Sequence, residues 1–263
     1  MTISAKILAD SISPEGSRLT TLQIRCPRFI WPQVLTHRAL SRNASSSRAI
    51  PVARLIADVG ADPVFPIRWG KNQRGMQARE ELEEAVAFSA DGEWDLALYI
   101  ALKQAHALAE LGAAKEIVNR LLEPFAHVNA VITATDWGNF FKLRIHDDAQ
   151  PEIQALALAM RKAMEGSQPE EVGVGWWHGP YVEWPAYDRS TDMGHRVSAA
   201  GCARVSYLTH EGRQATDQEN LELASRLLSA GHMSPFEHQA TPATGRHANL
   251  NGWRSYRSLL EAA

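Results

Sequence analysis

The alternation of apolar and polar residues near the start of the chain predicts a strand. Residues 19–26 (LTTLQIRC) place Leu22, Ile24 and Cys26 on one face, as a strand with one buried face requires. Pro27 ends this pattern. The following segment, PRFIWPQVLTHRAL, predicts a helix that begins near Pro27 or at Pro32, because proline is tolerated only in the first turn of a helix.

In the middle of the chain, apolar residues recur at the spacing of a helix, and this pattern predicts several helices. Residues 79–90 predict an exposed helix, and residues 94–112 a longer one that ends at Gly112. The second segment is apolar over much of its surface, so we expect it to be buried. A helical pattern continues over residues 113–122, and residues 125–135 (FAHVNAVITAT), rich in β-branched residues, fit either a strand or an apolar helix.

The last hundred or so residues combine helices with a long aromatic segment. Residues 149–164 predict a core-packing helix, and residues 220–231 predict an amphipathic helix ended by Gly231. The segment 166–195 between them, which contains VGVGWWHGPYVEWPAY, is either a lid over a flat ligand or a packed loop. Without an internal repeat or a linker, the pattern indicates one α+β domain over residues 1–263.

Composition narrows the classes of partner. The 263 residues include 27 Lys and Arg against 30 Asp and Glu, for a net charge of -3, which gives no reason to expect nucleic acid or an anionic membrane as partner. A small-molecule ligand fits better. The N-terminal residues lack the pattern of a signal peptide, and the two cysteines form no metal or disulfide motif, so we expect a cytoplasmic protein.

The first of three chemically suggestive clusters lies at residues 36–48, with the pattern T-H-R-x-x-S-x-N-x-x-S-x-R. Its cations, hydroxyls and amide could hold a phosphate and a polar ring. A solvated basic loop is the alternative, and composition alone favours it.

The other two clusters lie further along the chain. ARVS at residues 203–206 is followed by GHMSPFEH at residues 231–238, which brings a hydroxyl, a carboxylate and two histidines near one turn. The H-x5-H spacing matches no zinc signature, so we expect no metal. The third cluster runs from Asp136 to Glu152 and, if helical, presents Asn139 and Arg144 on neighbouring parts of one helix.

Together the three clusters resemble the flavin-dependent thymidylate synthases. Residues 36–48 match that family's R-H-R-x-x-S-x-N-x-x-S-x-R signature except at Thr36, and CPRFIWPQ resembles the approach to it. ARVS, GHMSPFEH and NFFKLRIHDDAQPEI resemble three further family elements. In the family, ARVS and the PFEH element precede the signature, whereas here they follow it. The order resembles a circular permutation, with residues 1–165 and 199–263 joined through residues 166–198.

The resemblance implies a mixed sheet with flanking helices and the conversion of dUMP to dTMP. It implies FAD as cofactor, NADPH and methylenetetrahydrofolate as co-substrates, and a homotetramer with sites shared between subunits. Arg144 would polarise the uracil ring as a permanent cation, and His232 would lie near the flavin and folate. The implied flavin-binding residues are His37, Arg38, Asn139, Ser206, Ser234 and Glu237. The implied nucleotide-binding residues are Gln33, Ser46, Ser47, Arg48, Arg120 and Arg144.

Three departures bear on the exact reaction. Thr36 replaces an arginine, Ala44 stands where glutamate is frequent, and Thr135 replaces a second arginine. These changes leave open a related C5 methylation or hydroxymethylation of dUMP or dCMP, and also a non-catalytic homologue that binds flavin or nucleotide. Arg144 favours uracil, whose N3 can ionise. Neither cysteine adjoins the nucleotide-binding arginines, so we expect C5 to be activated without a thiolate.

Overall fold

A mixed sheet forms the centre of the computed structural model, which describes residues 1–74, 79–188, 191–205, 208–209 and 211–262. Within these residues the sheet has five strands in the order β3-β4-β2-β1-β5, and only β1 and β5 run parallel. The strands are β1 (Ser4–Ile12), β2 (Arg18–Pro27), β3 (Ser41–Ala44), β4 (His127–Ala134) and β5 (Glu170–Glu171). The expected mixed α+β fold is confirmed.

The central strands β2 and β4 carry buried side chains of the main core. Leu22, Ile24 and Cys26 of β2 are all buried in the main core, as the alternation predicted. The segment that fitted either a strand or a helix forms β4, paired with β2 on one side and β3 on the other. Its β-branched residues suit this position, because they pack well on a pleated surface that is covered on both faces.

Six helices precede the aromatic segment among the described residues. They are α1 (Trp31–Leu35), α2 (Val52–Ala61), α3 (Glu84–Glu110), α4 (Lys115–Val118), α5 (Gly138–Arg144) and α6 (Pro151–Glu165). Short 3-10 turns at Arg28–Ile30 and Asn119–Phe125 adjoin α1 and α4. Pro151 begins α6, and this helix buries Ile153, Leu156 and Met160 in the sheet's core, as predicted.

Helix α3 differs from the sequence-based prediction. The segments expected to form two helices lie in one helix of 27 residues, and the second segment, expected to be buried, is buried on one side only. Leu98 and Ala105 are buried, whereas Tyr99 exposes 62% of its surface and Leu96 and Ile100 about half. Phe88, in the first segment, is 80% exposed, which agrees with the exposed helix predicted there. The reason is geometric: α2 and the 3-10 turn at Asn119–Phe125 cover α3 on one side only.

Most of the aromatic segment packs against the protein. The Trp177 ring lies 4.0 Å from the His195 ring, His178 is 1% exposed, and the Tyr181 hydroxyl donates to Gln23 at 2.9 Å. Trp176 is an exception and is 47% exposed. These contacts favour the packed loop over a free lid.

The C-terminal part adds three helices and a hairpin within the described residues. These are α7 (Met193–Arg204), α8 (Asp217–Ser229), β6 (Ala240–His247), β7 (Leu250–Ser255) and α9 (Tyr256–Leu260), with 3-10 turns at Trp184–Ala186 and Ser234–Glu237. As predicted, α8 ends just before Gly231, which has a φ of 72°. No helix in the described ranges is long and apolar enough to cross a bilayer.

A buried column of hydrogen bonds joins the C-terminal part to the sheet. His178 bonds Ser11 at 2.8 Å and Thr21 at 2.7 Å, Thr21 bonds Thr133 at 2.6 Å, and Thr133 bonds His238 at 2.8 Å. All five side chains are buried. Because buried polar groups are costly without partners, this column fixes how the separate segments dock.

Candidate functional site

Arg144 lies at the C-terminal end of α5, where its guanidinium faces the end of α1. Its Nε donates to His37 Nε2 at 2.9 Å, and its two terminal nitrogens lie 3.5 Å from Gln33 Oε1 and 3.3 Å from Thr36 Oγ1. The same side chain also reaches the backbone carbonyl of Gln33 at 3.4 Å. Three predicted site residues, Gln33, His37 and Arg144, therefore meet within one chain, although 107 or more positions separate Arg144 from the other two.

His37 is a neutral acceptor for Arg144. Burial lowers the pKa of His37, and the neighbouring charges of Arg144 and Arg42 lower it further. Since Nε2 accepts from the guanidinium, the neutral ring carries its proton on Nδ1. His37 also packs edge-on against Phe140 at 5.0 Å between ring centroids. These contacts fix the orientation of the guanidinium.

The first and second clusters meet at a separate cavity of about 730 Å³. Ser46, from the segment after β3, and Ser234, His232 and Arg204, from the C-terminal part, all line it. The side-chain amide of Asn43 donates to the carbonyl of Cys202 at 2.8 Å and thereby ties β3 to α7. The polar cluster that could have been a solvated loop instead contains the edge strand β3.

A third group gathers around Glu123. Ser47 donates to its carboxylate at 2.7 Å, and Arg28 and Arg120 lie 3.2 and 3.8 Å from it. Arg48 lies nearby in sequence, is exposed, and pairs with Glu116 at 3.4 Å. The predicted nucleotide residues of this chain are thus dispersed. Gln33 lies beside Arg144, and Ser47 and Arg120 lie beside Glu123. Arg48 pairs with Glu116, and Ser46 lines the 730 Å³ cavity.

The remaining predicted residues are placed as follows. Arg38 and Asn139 are exposed. Glu237 accepts from Arg257 at 2.6 Å and does not line the cavity. Ser206 lies outside the described residues.

Three residues near these groups were missed from the sequence. Gln150 accepts from Gln33 at 2.5 Å and so supports the residue that faces Arg144. Arg226 on α8 and Arg213 line the 730 Å³ cavity. Gln150 could have been found from its place in the AQPEI motif, whereas nothing in the local sequence singles out the two arginines.

Neither cysteine is chemically available as a nucleophile. Cys26 and Cys202 are both fully buried. Burial raises the pKa of the Cys26 thiol to about 12 and raises that of Cys202 well above its ordinary value, so both remain thiols at neutral pH. Within the described ranges, no group of three or more histidine, cysteine or acidic residues is placed to hold a metal ion.

The sequence matches a known protein family within its first two thirds. The sequence profile of the family described as thymidylate synthase complementing protein matches residues 17–170, more than half of the chain. The chain belongs to this family. The match includes the first and third clusters, but residues 199–263 lie outside it. No curated protein matches the chain.

Two solved structures are similar to this chain at low sequence identity. PolB of Streptomyces cacaoi, a UMP/dUMP methylase bound with 5-Br dUMP, has a TM-score of 0.51 and 19% identity over 62% of this chain and 90% of that chain. Thymidylate synthase X of Helicobacter pylori, solved with FAD and dUMP, gives a TM-score of 0.41 and 17% identity over 56% of this chain and 67% of that chain. The PolB comparison shows a shared fold.

Proposed function

We propose that this member of the thymidylate synthase complementing protein family methylates C5 of dUMP to give dTMP, with FAD as cofactor and NADPH and methylenetetrahydrofolate as co-substrates. The observation that carries the proposal is the placement of Arg144 between Gln33, Thr36 and His37. A rigid, permanently charged fork is suited to a pyrimidine edge, which presents two carbonyl oxygens on either side of N3.

The chemistry required of the protein is electrostatic. C5 of uracil becomes nucleophilic when N3 loses its proton and electron density moves into the ring. Arg144 can donate hydrogen bonds to the ring oxygens and stabilise the ionised form without transferring a proton itself. Cytosine N3 carries no proton and cannot form the corresponding anion, so dUMP ranks above dCMP as substrate.

Thr36 changes the surroundings of this arginine. Where the signature has a cation, Thr36 offers a hydroxyl that accepts from Arg144 at 3.3 Å. Replacing a neighbouring cation by an acceptor removes like-charge repulsion from Arg144, which supports its role as the cation nearest the base.

The residues around the 730 Å³ cavity fit a flavin nucleotide. Its volume lies in the range of about 300–1,000 Å³ for small-molecule sites. The lining includes apolar side chains suited to a flat ring, namely Ile50, Leu223, Leu227 and Pro235. It also includes polar side chains suited to phosphates, among them Ser46, Ser234, His232 and Arg204. Bound FAD would supply the hydride.

The order of the motifs is accounted for by a circular permutation. Its support is the meeting of Ser46 with His232 and Ser234 at one cavity, despite their separation of nearly 190 positions. The hydrogen bond from Asn43 to Cys202 is a second contact between the rearranged parts. On this proposal residues 1–165 and 199–263 are two parts of one catalytic domain, joined by residues 166–198.

The complete site is shared between copies of the chain in a homotetramer. Support comes from the distance between the nucleotide residues of one chain, since Gln33 lies beside Arg144 whereas Ser47 and Arg120 lie beside Glu123. The exposed apolar face of α3, formed by Phe88, Leu96, Tyr99 and Ile100, offers a large surface for a second copy.

Replacing both Phe88 and Tyr99 with glutamate should convert the oligomer into smaller species. Charges buried at an apolar contact are strongly unfavourable, so we expect the dissociation constant to rise at least about 100-fold. Light scattering after size-exclusion chromatography measures the mass. The matched control replaces exposed Val174, which is 82% exposed and lies outside α3, with glutamate. An unchanged mass for the double variant would contradict a role for this face.

The reaction is tested by tritium release from C5-labelled nucleotides. With reduced FAD and methylenetetrahydrofolate, we expect release from dUMP at least about tenfold faster than from dCMP, because only the uracil ring can ionise at N3. UMP belongs in the series because PolB is a UMP/dUMP methylase. Product analysis then separates methyl from hydroxymethyl transfer. Release from dCMP but not dUMP would overturn the proposal, and release from none would favour the non-catalytic alternative.

A further inference from the structure

The surface of α8 adds positive charge to the 730 Å³ cavity at positions outside every family motif. Arg226 on α8 and Arg213 before it line the cavity together with Arg204 of α7. Burial lowers the pKa of Arg204, Glu219 opposes this effect, and the charges of Arg226 and Arg213 lower the pKa further. Three cations therefore line the same cavity, close enough to interact.

The nearby carboxylates are not distributed evenly among these arginines. Arg213 pairs with Glu219 at 2.5 Å and with Glu211 at 3.3 Å. Arg204 instead donates to the side chain of Asn220 and to the backbone carbonyl of Glu219. Both contacts of Arg204 are to neutral groups, and in the part of the chain that the structure describes neither Arg204 nor Arg226 lies within 4.0 Å of a carboxylate oxygen.

Two guanidinium groups that line one cavity and form no ion pair there favour an anion as ligand. Arg204 is held in place by its two acceptors and is only partly exposed, whereas Arg226 is exposed on the last turn of α8. A phosphate can accept from both, and planar guanidinium groups bind phosphate through parallel hydrogen bonds. Bringing in a dianion would also relieve the repulsion between the two arginines.

We propose that Arg204 and Arg226 form a phosphate-binding subsite in this cavity, with Arg226 the residue that selects phosphorylated flavins over riboflavin. The assignment of a flavin to the cavity rests on the proposed function; the assignment of an anion rests on the two arginines. Arg226 binds and positions the ligand and takes no part in the transfer of hydride or carbon.

The test compares Arg226→Gln with the wild-type protein after bound flavin has been removed. Flavin fluorescence gives the dissociation constants of riboflavin, FMN and FAD, and calorimetry gives that of inorganic pyrophosphate. We expect Arg226→Gln to weaken FMN, FAD and pyrophosphate binding about 10- to 100-fold and to leave riboflavin binding unchanged. The salt dependence of FAD binding should also become shallower.

The matched control is Arg161→Gln on α6, an exposed arginine that pairs with Glu165 and does not line this cavity. Equal effects of Arg226→Gln and Arg161→Gln on all four ligands would overturn the subsite and leave the proposed function intact. Pyrophosphate binding that depends on Arg226, without binding of any flavin, would support the subsite and refute the flavin assignment. If the wild-type protein binds none of the four, both are overturned.

Discussion

Replacing Arg144 with lysine is expected to slow tritium release from C5-labelled dUMP by about 100- to 1,000-fold, the usual effect of losing one preorganised donor to a developing charge. Lysine keeps the positive charge but not the planar fork, which reaches His37, Gln33 and Thr36 at once. The loss should therefore fall mainly on kcat, because the fork acts on charge that develops in the ring.

The control for this prediction is Arg161→Lys, which changes an exposed arginine on α6 that pairs with Glu165. FAD affinity should be the same in Arg144→Lys and in wild type, since Arg144 does not line the 730 Å³ cavity of the same chain. A rate within a factor of two of wild type would show that Arg144 does not activate the base.

The protein is expected to lose much of its stability between pH 6.5 and pH 5. Burial is the main cause that lowers the pKa of four histidines, to about 3 for His178 and His238 and to about 4 for His127 and His195. In the unfolded chain each titrates near pH 6.5. The unfolded state therefore binds more protons below that pH, and stability is complete above 6.5 and falls as the pH decreases.

The expected size of this effect is large. At pH 5, protonation of the unfolded chain costs about 2 kcal/mol of stability for each such histidine. Four histidines together approach the whole stability of an ordinary domain, about 5–15 kcal/mol. Asp10, whose pKa is lowered by its hydrogen bonds with Arg18, Ser167 and Thr20 against the opposing effect of burial, adds a further loss below about pH 4.

Urea denaturation at pH 8, 7, 6 and 5 measures this dependence. His106→Gln, which changes an exposed histidine, should leave the slope of stability against pH unchanged. His238→Gln should reduce the slope by the contribution of one proton, even though the variant is less stable at pH 8. A free energy of unfolding that stays constant from pH 8 to pH 5 would be inconsistent with neutral buried histidines.

The sequence predicted local structure best where the spacing of apolar residues reflects a single face that is buried against the core. The alternation in β2 and the helical period of α6 each describe a face that the core covers, and both predictions hold. The helical character of α3 could be recognised, but its continuity over 27 residues and its one-sided burial could not. Apolar residues such as Phe88 and Tyr99 indicate that burying their helix face would be favourable. They do not indicate whether another part of the same chain or a second copy of the chain covers that face.

The candidate site was predictable from the sequence where residues belong to motifs. Arg144, His37 and Gln33 were named from the resemblance, and the structure brings them within hydrogen-bonding distance. The contact between Thr36 and Arg144 was not foreseen, because Thr36 was considered only as the loss of a cation. The cavity role of Arg226 was also missed, since it depends on how α8 docks against α7, and no local pattern encodes that packing.

The column from Ser11 to His238 has a consequence for how the polypeptide can be divided. In the described portion, residues 199–263 contribute no strand to the five-stranded sheet. His238 contacts the sheet directly through Thr133, and Ala240 pairs with His178 of the joining segment, whose side chain bonds Ser11 and Thr21 of the sheet. The association of the two parts therefore depends more on their complementary surfaces than on the peptide bonds that join them. Two polypeptides separated within the joining segment, expressed together, should reassemble as a split protein.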